Sequence, residues 1–103
     1  KRALASYQQA LIIDPLYAEA YNSMGNFWYH TGNPKKALPN FMKAQKINPK
    51  LAEAYNGAGA ALIRMGKARQ AAGFFREAVM IDPDYVAART NLKNTLAALG
   101  KNQ

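Results

Sequence analysis

Apolar residues recur along this chain at the spacing of amphipathic helices. In the segment 1–13, for example, Ala3, Leu4, Tyr7, Ala10 and Leu11 follow it. The same spacing continues through 17–31, 34–47, 51–65, 68–81 and 85–99, and no stretch alternates as a strand would. The pattern therefore predicts six helices and an all-α fold. Because the connections are short, consecutive helices should be antiparallel neighbours.

Two consecutive segments repeat each other with a period of 34 residues. Residues 18–51 and 52–85 both begin with Ala-Glu-Ala-Tyr. The residues expected to mark helix ends recur with the same period, and they are Pro15, Pro49, Pro83, Gly32, Gly66 and Gly100. A fixed period of this length is the signature of a stacked-repeat architecture.

The period defines one domain over 1–103, which divides into two full repeats and two partial ones. Segment 1–17 is the second half of a repeat, and 86–103 is either the first half of another repeat or a capping helix. The chain begins with Lys1 rather than methionine, which is consistent with a piece of a longer protein.

Local signals add detail to the predicted helices. Asn33 followed by Pro34 is typical of a helix start, and Pro39 inside the same helix should remove one backbone hydrogen bond. Gly25 and Gly59 lie within helices at the same place in both repeats, although glycine there costs about 1 kcal/mol relative to alanine. Such a cost indicates that neighbouring helices approach closely. The expected packing residues are Ala37 and Ala71 facing the glycines, with Phe41 and Phe75 in the layer beside them.

These residues resemble the tetratricopeptide repeat, a helix–turn–helix unit of 34 residues. In the first full repeat the signature is Tyr21-x2-Met24-Gly25-x2-Trp28, Ala37-x3-Phe41 and Pro49. In the second it is Tyr55-x2-Ala58-Gly59-x2-Leu62, Ala71-x3-Phe75 and Pro83. The last segment departs from the pattern, with Arg89 in the aromatic place and Lys93 in the glycine place. The resemblance implies a right-handed superhelical α-solenoid of antiparallel helix pairs.

The resemblance also implies a binding surface, because in this family the first helix of each repeat lines a concave groove that usually binds peptides. The residues expected to line it here are Glu19, Asn22, Ser23, Asn26, Tyr29, His30, Glu53, Asn56, Gly57, Ala60, Ile63, Arg64, Ala87, Thr90, Asn91 and Asn94. Asparagine amides both donate and accept, so they can hold the peptide units of an extended ligand. Asn22 and Asn56 have the same place in the two repeats, which favours a common role in binding. The alternative is that they are simply polar residues on a hydrated face.

The family's carboxylate clamp, which grips the acidic C-termini of chaperones, is not matched. It requires Lys where Asn22 stands, Asn at Gly57, Lys at Ala87 and Arg at Asn91. Of its positions, only Asn26 carries the expected residue.

Charge suggests a second surface. The chain has 14 Lys and Arg against 6 Asp and Glu, for a net charge of +8. Basic residues gather on the second helices and form an expected basic convex surface of Lys1, Lys35, Lys36, Lys43, Arg69 and Arg76. Its partner could be an acidic protein, an anionic membrane or nucleic acid, or the charge serves only to keep the protein soluble. Interleaved exposed aromatics are lacking, so sequence-specific recognition of nucleic acid is not supported.

The sequence offers no arrangement for catalysis or metal binding. It has no Cys, and His30 is the only histidine, whereas a zinc site needs about four ligands. The acids form no paired-carboxylate or Ser/His/Asp arrangement. We therefore expect no enzyme activity, metal, cofactor or small-molecule substrate. The lack of Cys fits a reducing compartment, so a cytoplasmic location is expected, and no apolar run approaches the roughly 20 residues that span a bilayer.

The leading interpretation is a scaffold or adaptor that binds a protein or peptide in the concave groove. A second hypothesis is head-to-tail self-assembly, in which the two partial repeats of neighbouring molecules complete each other. The apolar residues that would meet are Leu92, Leu96 and Leu99 from one end and Leu4, Tyr7 and Leu11 from the other. A third hypothesis is binding through the basic convex surface.

Overall fold

The computed structural model describes residues 4–6, 8 and 17–101, and within them it contains helices and no strand. The helices are α1 (Ala18–His30), α2 (Pro34–Ile47), α3 (Ala52–Arg64), α4 (Ala68–Ile81) and α5 (Val86–Lys101). Residues 4–6 and 8, which belong to the first helix predicted from the sequence, are also helical. The rest of that predicted helix lies outside the described residues. The predicted all-α solenoid of paired helices is confirmed.

Glycine ends α1 and α3 as predicted. Gly32 and Gly66 have φ of +86° and +77°, a conformation that glycine adopts without strain. After α1, the N–H groups of Gly32 and Asn33 donate to the carbonyls of Tyr29 and Trp28 at 3.2 and 2.8 Å. In the turn after α3, the N–H groups of Gly66 and Lys67 donate to the carbonyls of Ile63 and Leu62 at 3.0 and 2.9 Å. These bonds satisfy the last carbonyls of each helix and reverse the chain into its partner helix.

The prediction that Gly100 ends the last helix is wrong. Helix α5 continues through Gly100 to Lys101, and Gly100 is not among the described glycines with positive φ. A glycine ends a helix when it turns left-handed so that the following N–H groups fold back onto the helix, and Gly100 instead keeps helical geometry.

The start of α2 follows the sequence signal. The side-chain oxygen of Asn33 accepts a hydrogen bond from the backbone N–H of Lys36 at 3.2 Å, and Pro34 occupies the first turn. The helix is continuous across Pro39. At the corresponding start of α4 stands Lys67, which makes no side-chain capping bond. The two repeats therefore begin their second helices with unequal stabilisation.

The described helices form two layers. Each helix packs against the next one in sequence, and in addition α1 contacts α3 and α3 contacts α5. The backbones of α2 and α4 lie farther apart, although Leu38 of α2 and Phe74 of α4 pack against both buried clusters between the layers. The layer of α1, α3 and α5 is therefore the closely spaced inner side of the curve, and α2 and α4 form the outer, convex side.

Two buried phenylalanine rings fill the space between the layers. Phe41 and Phe75 are each 1% exposed. A Cβ added at Gly25 would lie 2.7 Å from the ring of Phe41, and one added at Gly59 would lie 2.5 Å from the ring of Phe75. The predicted close approach at these glycines is confirmed, but the nearest atoms belong to the rings rather than to the fully buried Ala37 and Ala71.

Candidate binding groove

A cavity of about 350 Å³ opens on the concave side of the solenoid. Its lining comes from α1, α3, α4 and α5, and consists of Tyr29, Ala60, Ile63, Ala68, Phe75, Asn91, Asn94, Thr95 and Ala98. Five of these, Tyr29, Ala60, Ile63, Asn91 and Asn94, were expected from the sequence to line the groove. The sequence did not predict the other four lining residues, because they line the cavity only where α5 packs over α4. These residues are Ala68, Phe75, Thr95 and Ala98.

The cavity has an apolar interior and an amide rim. Phe75 closes its floor, while the side chain of Ile63 in its wall is 42% exposed. Asn94 is exposed at the rim, where its amide can both donate and accept hydrogen bonds. Thr95 is buried, and its hydroxyl donates to the backbone carbonyl of Asn91 at 2.7 Å. Asn94 is therefore the polar lining side chain best placed to meet a ligand.

Asn56 and Asn91 join α3 to α5. The side-chain nitrogen of Asn91 donates to the side-chain oxygen of Asn56 at 3.0 Å, and the nitrogen of Asn56 donates to the hydroxyl of Tyr85 at 3.4 Å. Burial raises the pKa of the Tyr85 phenol above its ordinary value. The bond from Asn56 acts in the opposite sense, and the negative charges of Glu53 and Asp82 raise it further. The hydroxyl therefore stays protonated at neutral pH, and much of the hydrogen-bonding capacity of Asn56 is used within the protein.

Asn22 has the same place in its repeat as Asn56 but different surroundings. Its side-chain oxygen is buried and has no hydrogen-bond partner among the described residues. The positions that correspond to Asn91 and Tyr85 are Gly57 and Leu51, whose side chains offer no donor. The two asparagines were expected to act alike on a ligand, and their surroundings are in fact not equivalent.

Gly57 does not line the groove, so that expectation is wrong. A Cβ at Gly57 would collide with the ring of Phe41. The residue faces the second helix of the preceding repeat, because its place on α3 is turned toward the interlayer core. Glycine is needed here for close packing of α3 against α2.

At the other end of α3, Arg64 reaches across to α1. Its guanidinium lies 4.0 Å from the ring centre of Tyr29, and it donates to the backbone carbonyl of Tyr29 at 3.2 Å. A cation near the last carbonyls of a helix is favourable. The exposed His30 ring stands edge-on to Tyr29 at a centroid distance of 5.3 Å. Tyr29 is thus fixed in orientation at the mouth of the cavity.

The remaining predicted groove residues are exposed and give the groove two unlike edges. Glu19 and Glu53 lie in the first turns of α1 and α3, and His30 and Arg64 lie in their last turns. Because α1 and α3 run in the same direction, the acids share one edge of the groove and the basic residues share the other. Asn26 is exposed between the edges.

The predicted basic convex surface is exposed wherever it is described. The described members of this surface are exposed on α2 and α4, and they are Lys35, Lys36, Lys43, Arg69 and Arg76. The ammonium of Lys36 lies 4.6 Å from the ring centre of Trp28. Lys1 lies outside the described residues. Binding through this surface stays a prediction.

The residues proposed for end-to-end association are only partly available. Leu92 packs against the core that contains Leu62 and Phe75, and Leu99 is half-buried, whereas Leu96 is 41% exposed. Leu4 is half-buried, and Tyr7 and Leu11 lie outside the described residues.

Lys93 opposes such association. It stands where Gly25 and Gly59 admit a phenylalanine ring, so a helix packed there as α2 packs on α1 would meet the lysine side chain. End-to-end association stays a prediction.

Two further features of the described part of the chain bear on function. No group of three or more His, Asp or Glu side chains within it is placed to hold a metal ion. None of its helices is long and apolar enough to cross a membrane.

Comparison with known proteins gives both family and fold. The model of the tetratricopeptide repeat matches residues 18–51 and 52–85, the two segments that repeat each other. A search of curated proteins gave no match.

Solved structures resemble the whole fold. The first TPR of Spaghetti (RPAP3) bound to the HSP90 peptide SRMEEVD is 18% identical, with 94% of this chain and 77% of that chain covered and a TM-score of 0.89. The Sgt2 TPR domain from Aspergillus fumigatus is 20% identical, with 96% and 67% covered and a TM-score of 0.91. MamA is 22% identical, with 94% and 57% covered and a TM-score of 0.86. These likenesses concern the fold, and together with the two matched repeats they establish that this chain belongs to the tetratricopeptide repeat family.

Proposed function

We propose that this chain binds an extended segment of another protein in its concave groove, with one apolar side chain of that segment inserted into the cavity between α3 and α5. Tetratricopeptide repeats are protein-interaction modules, and the neighbouring RPAP3 structure holds a peptide. The observation that carries the proposal is the cavity itself, since it combines an apolar interior with an exposed amide at the rim.

The size and chemistry of the cavity match an anchor residue. Ligand pockets commonly measure about 300–1,000 Å³. At about 350 Å³, this cavity has room for a large apolar side chain such as leucine, methionine or phenylalanine. Ile63 and the floor ring of Phe75 would contact that side chain, and Asn94 would hydrogen-bond the adjacent peptide unit. Burying an apolar anchor in this way contributes about 1.5–3 kcal/mol.

The ligand differs from an acidic chaperone tail. The HSP90 peptide in the RPAP3 structure carries two glutamates and an aspartate. Here the positions of the carboxylate clamp hold Asn22, Gly57, Ala87 and Asn91, none of which is cationic. We therefore expect apolar insertion, rather than charge pairing, to supply most of the affinity.

The test uses peptides selected from a phage-displayed random library on the wild-type protein, with affinity measured by calorimetry. Ala98→Phe places a ring in the exposed wall of the cavity and should weaken binding roughly tenfold or more. Ala97→Phe adds the same ring to the same helix at an exposed position outside the cavity lining and should leave the affinity unchanged. Selected peptides should also share one large apolar residue whose replacement by alanine abolishes the difference between wild type and Ala98→Phe.

Two outcomes would contradict the proposal. One is equal affinity of the selected peptides for the wild type and for Ala98→Phe. The other is a selected motif with no apolar residue in common.

A further inference from the structure

A second hollow lies on the convex side of the solenoid, at the junction of the two full repeats. It measures about 650 Å³ and is walled by Pro39 and Met42 of α2, Pro49 of the following turn, and Tyr55 of α3. Lys43 and Lys46 stand on its rim. Gln45 completes the lining, and we call these seven residues the α2 hollow. The groove described above is lined by different residues.

The α2 hollow lies where α2 is bonded to α3, and it has an exposed apolar surface. The side chain of Gln45 donates to the backbone carbonyl of Ala54 at 3.2 Å, which ties the end of α2 to the start of α3 beneath it. Met42 is 47% exposed, although a methionine on a hydrated surface gains nothing from water contact. Methionine side chains are flexible and adapt to apolar partners of different shape.

The hollow is not a general product of the repeat. One repeat later, the places of Met42, Lys43 and Tyr55 are taken by Arg76, Glu77 and Arg89, which are all exposed. The same fold therefore builds an apolar hollow with a cationic rim at one junction and a mixed charged surface at the next. This difference makes the surface specific to the first junction of this chain.

Charge decides what fits. Helix α2 contains Lys35, Lys36, Lys43 and Lys46 and no acid, so the field around the hollow is positive. A second copy of this chain, with its net charge of +8, is repelled. A nucleic acid or a lipid surface would satisfy the lysines but leave the recessed apolar walls unused. We propose that the α2 hollow binds an acidic amphipathic segment of a partner protein. Apolar side chains of that segment contact Met42 and Tyr55, and its carboxylates pair with Lys43 and Lys46.

The probe is a short synthetic peptide of leucine and glutamate at helical spacing, compared with a counterpart in which every glutamate is glutamine. Titration of ¹⁵N-labelled protein should shift the amide signals of Met42, Lys43, Lys46 and Tyr55. The glutamate peptide should bind at least roughly tenfold more tightly than the glutamine peptide, and the preference should shrink as salt is added.

Matched variants separate this site from a general effect of charge. Lys43→Glu combined with Lys46→Glu should reduce affinity for the glutamate peptide roughly tenfold or more, whereas Lys35→Glu with Arg69→Glu makes the same change in net charge and should reduce it far less. Met42→Ala should weaken binding several-fold, and Met80→Ala should not, since the 75% exposed Met80 lies on α4 away from the hollow. Ala98→Phe, which blocks the concave cavity, should leave binding of the glutamate peptide unchanged. The proposal for the α2 hollow and the proposal for the groove can therefore fail independently of each other.

Three results would overturn the inference. The first is equal loss of affinity in the two charge-reversed pairs, which would indicate non-specific attraction. The second is unchanged binding in Met42→Ala. The third is binding to anionic vesicles or single-stranded RNA that exceeds binding to the glutamate peptide and is sensitive to Lys43→Glu with Lys46→Glu.

Discussion

Replacing Gly25 with alanine should destabilise the domain, although alanine is the better helix former. In an unconstrained helix the change would stabilise by about 1 kcal/mol. Here the new methyl group would lie 2.7 Å from the ring of Phe41, about 0.7 Å inside the 3.4 Å at which ordinary contacts begin. The same edge of that ring also touches Gly57 on α3, and Phe41 is 1% exposed, so the ring has no open space to enter. Overpacking of this kind costs about 1–3 kcal/mol, so after the gain in helix propensity the net loss is about 0–2 kcal/mol.

Gly73 provides the matched control. It lies inside α4, and a Cβ placed there would meet no atom within 4 Å. Gly73→Ala should therefore stabilise by about 0.5–1 kcal/mol through helix propensity alone. Urea denaturation of both variants, followed by circular dichroism, measures the difference. If Gly25→Ala proved as stable as Gly73→Ala, the reasoning about Phe41 would be wrong.

Gly59→Ala extends the same argument to the groove. Its methyl group would press on Phe75 at 2.5 Å, but Phe75 borders the concave cavity and can move into it. The loss of stability should therefore be smaller than for Gly25→Ala. The loss of affinity for groove-selected peptides should be larger, since the displaced ring occupies the place of the anchor side chain.

Three other predictions concern stability and are checked by the same denaturation measurements. Asn33→Ala should destabilise by about 1 kcal/mol because it removes the cap of α2. Lys67→Asn should stabilise α4 by a similar amount because it adds the missing cap. No gain in stability from Lys67→Asn would mean that Lys67 already satisfies the helix start in another way. Asn91→Ala should lower the free energy of unfolding by about 1 kcal/mol because it removes the hydrogen bond between α3 and α5. Replacing the exposed Asn94 with alanine should leave the stability within about 0.5 kcal/mol of wild type. Equal losses in the two variants would contradict this. The folded-state pKa of Tyr85 is raised above 10.0, so the contribution of its hydroxyl to the free energy of unfolding is fully present below pH 10 and is lost as pH rises through the folded-state pKa. The stability difference between wild type and Tyr85→Phe should therefore fall above pH 10. A constant difference would refute the shift.

The fold was predictable because the signals that set it are local and are repeated. Gly32 and Gly66 end helices through bonds to residues a few positions away, and Asn33 caps α2 in the same local way. Gly100 shows the limit of that reasoning. It has the same place in the period, but a glycine ends a helix only where the backbone turns left-handed, and there it does not.

The site was less predictable because it depends on which side chains meet between repeats. The common phase of Asn22 and Asn56 suggested a common role, yet Asn56 bonds Asn91 whereas the side-chain oxygen of Asn22 has no partner among the described residues. The places that match Asn91 and Tyr85 one repeat earlier hold Gly57 and Leu51, which supply no side-chain donor. The pairing of Asn56 with Asn91 follows from the stacking of α5 on α3, which the period implies but does not locate atom by atom. The α2 hollow likewise requires Met42 and Tyr55, distant in sequence, to share one junction.

The side-chain hydrogen bonds between the inner helices lie at opposite ends of α3. The contact of α3 with α1 is therefore held at the end of α3, and the contact of α3 with α5 is held near its start. Arg64 holds the last turn of α3 to the last turn of α1, whereas Asn56, near the start of α3, bonds Asn91 of α5. Rotation about the Asn56 pivot changes the spacing of α3 and α5 most at the far edge, where Ile63 borders the cavity. A hinge motion of α5 about this bond would therefore widen or narrow the cavity. Anchor side chains of different size would then be accommodated by turning one helix rather than by repacking the core.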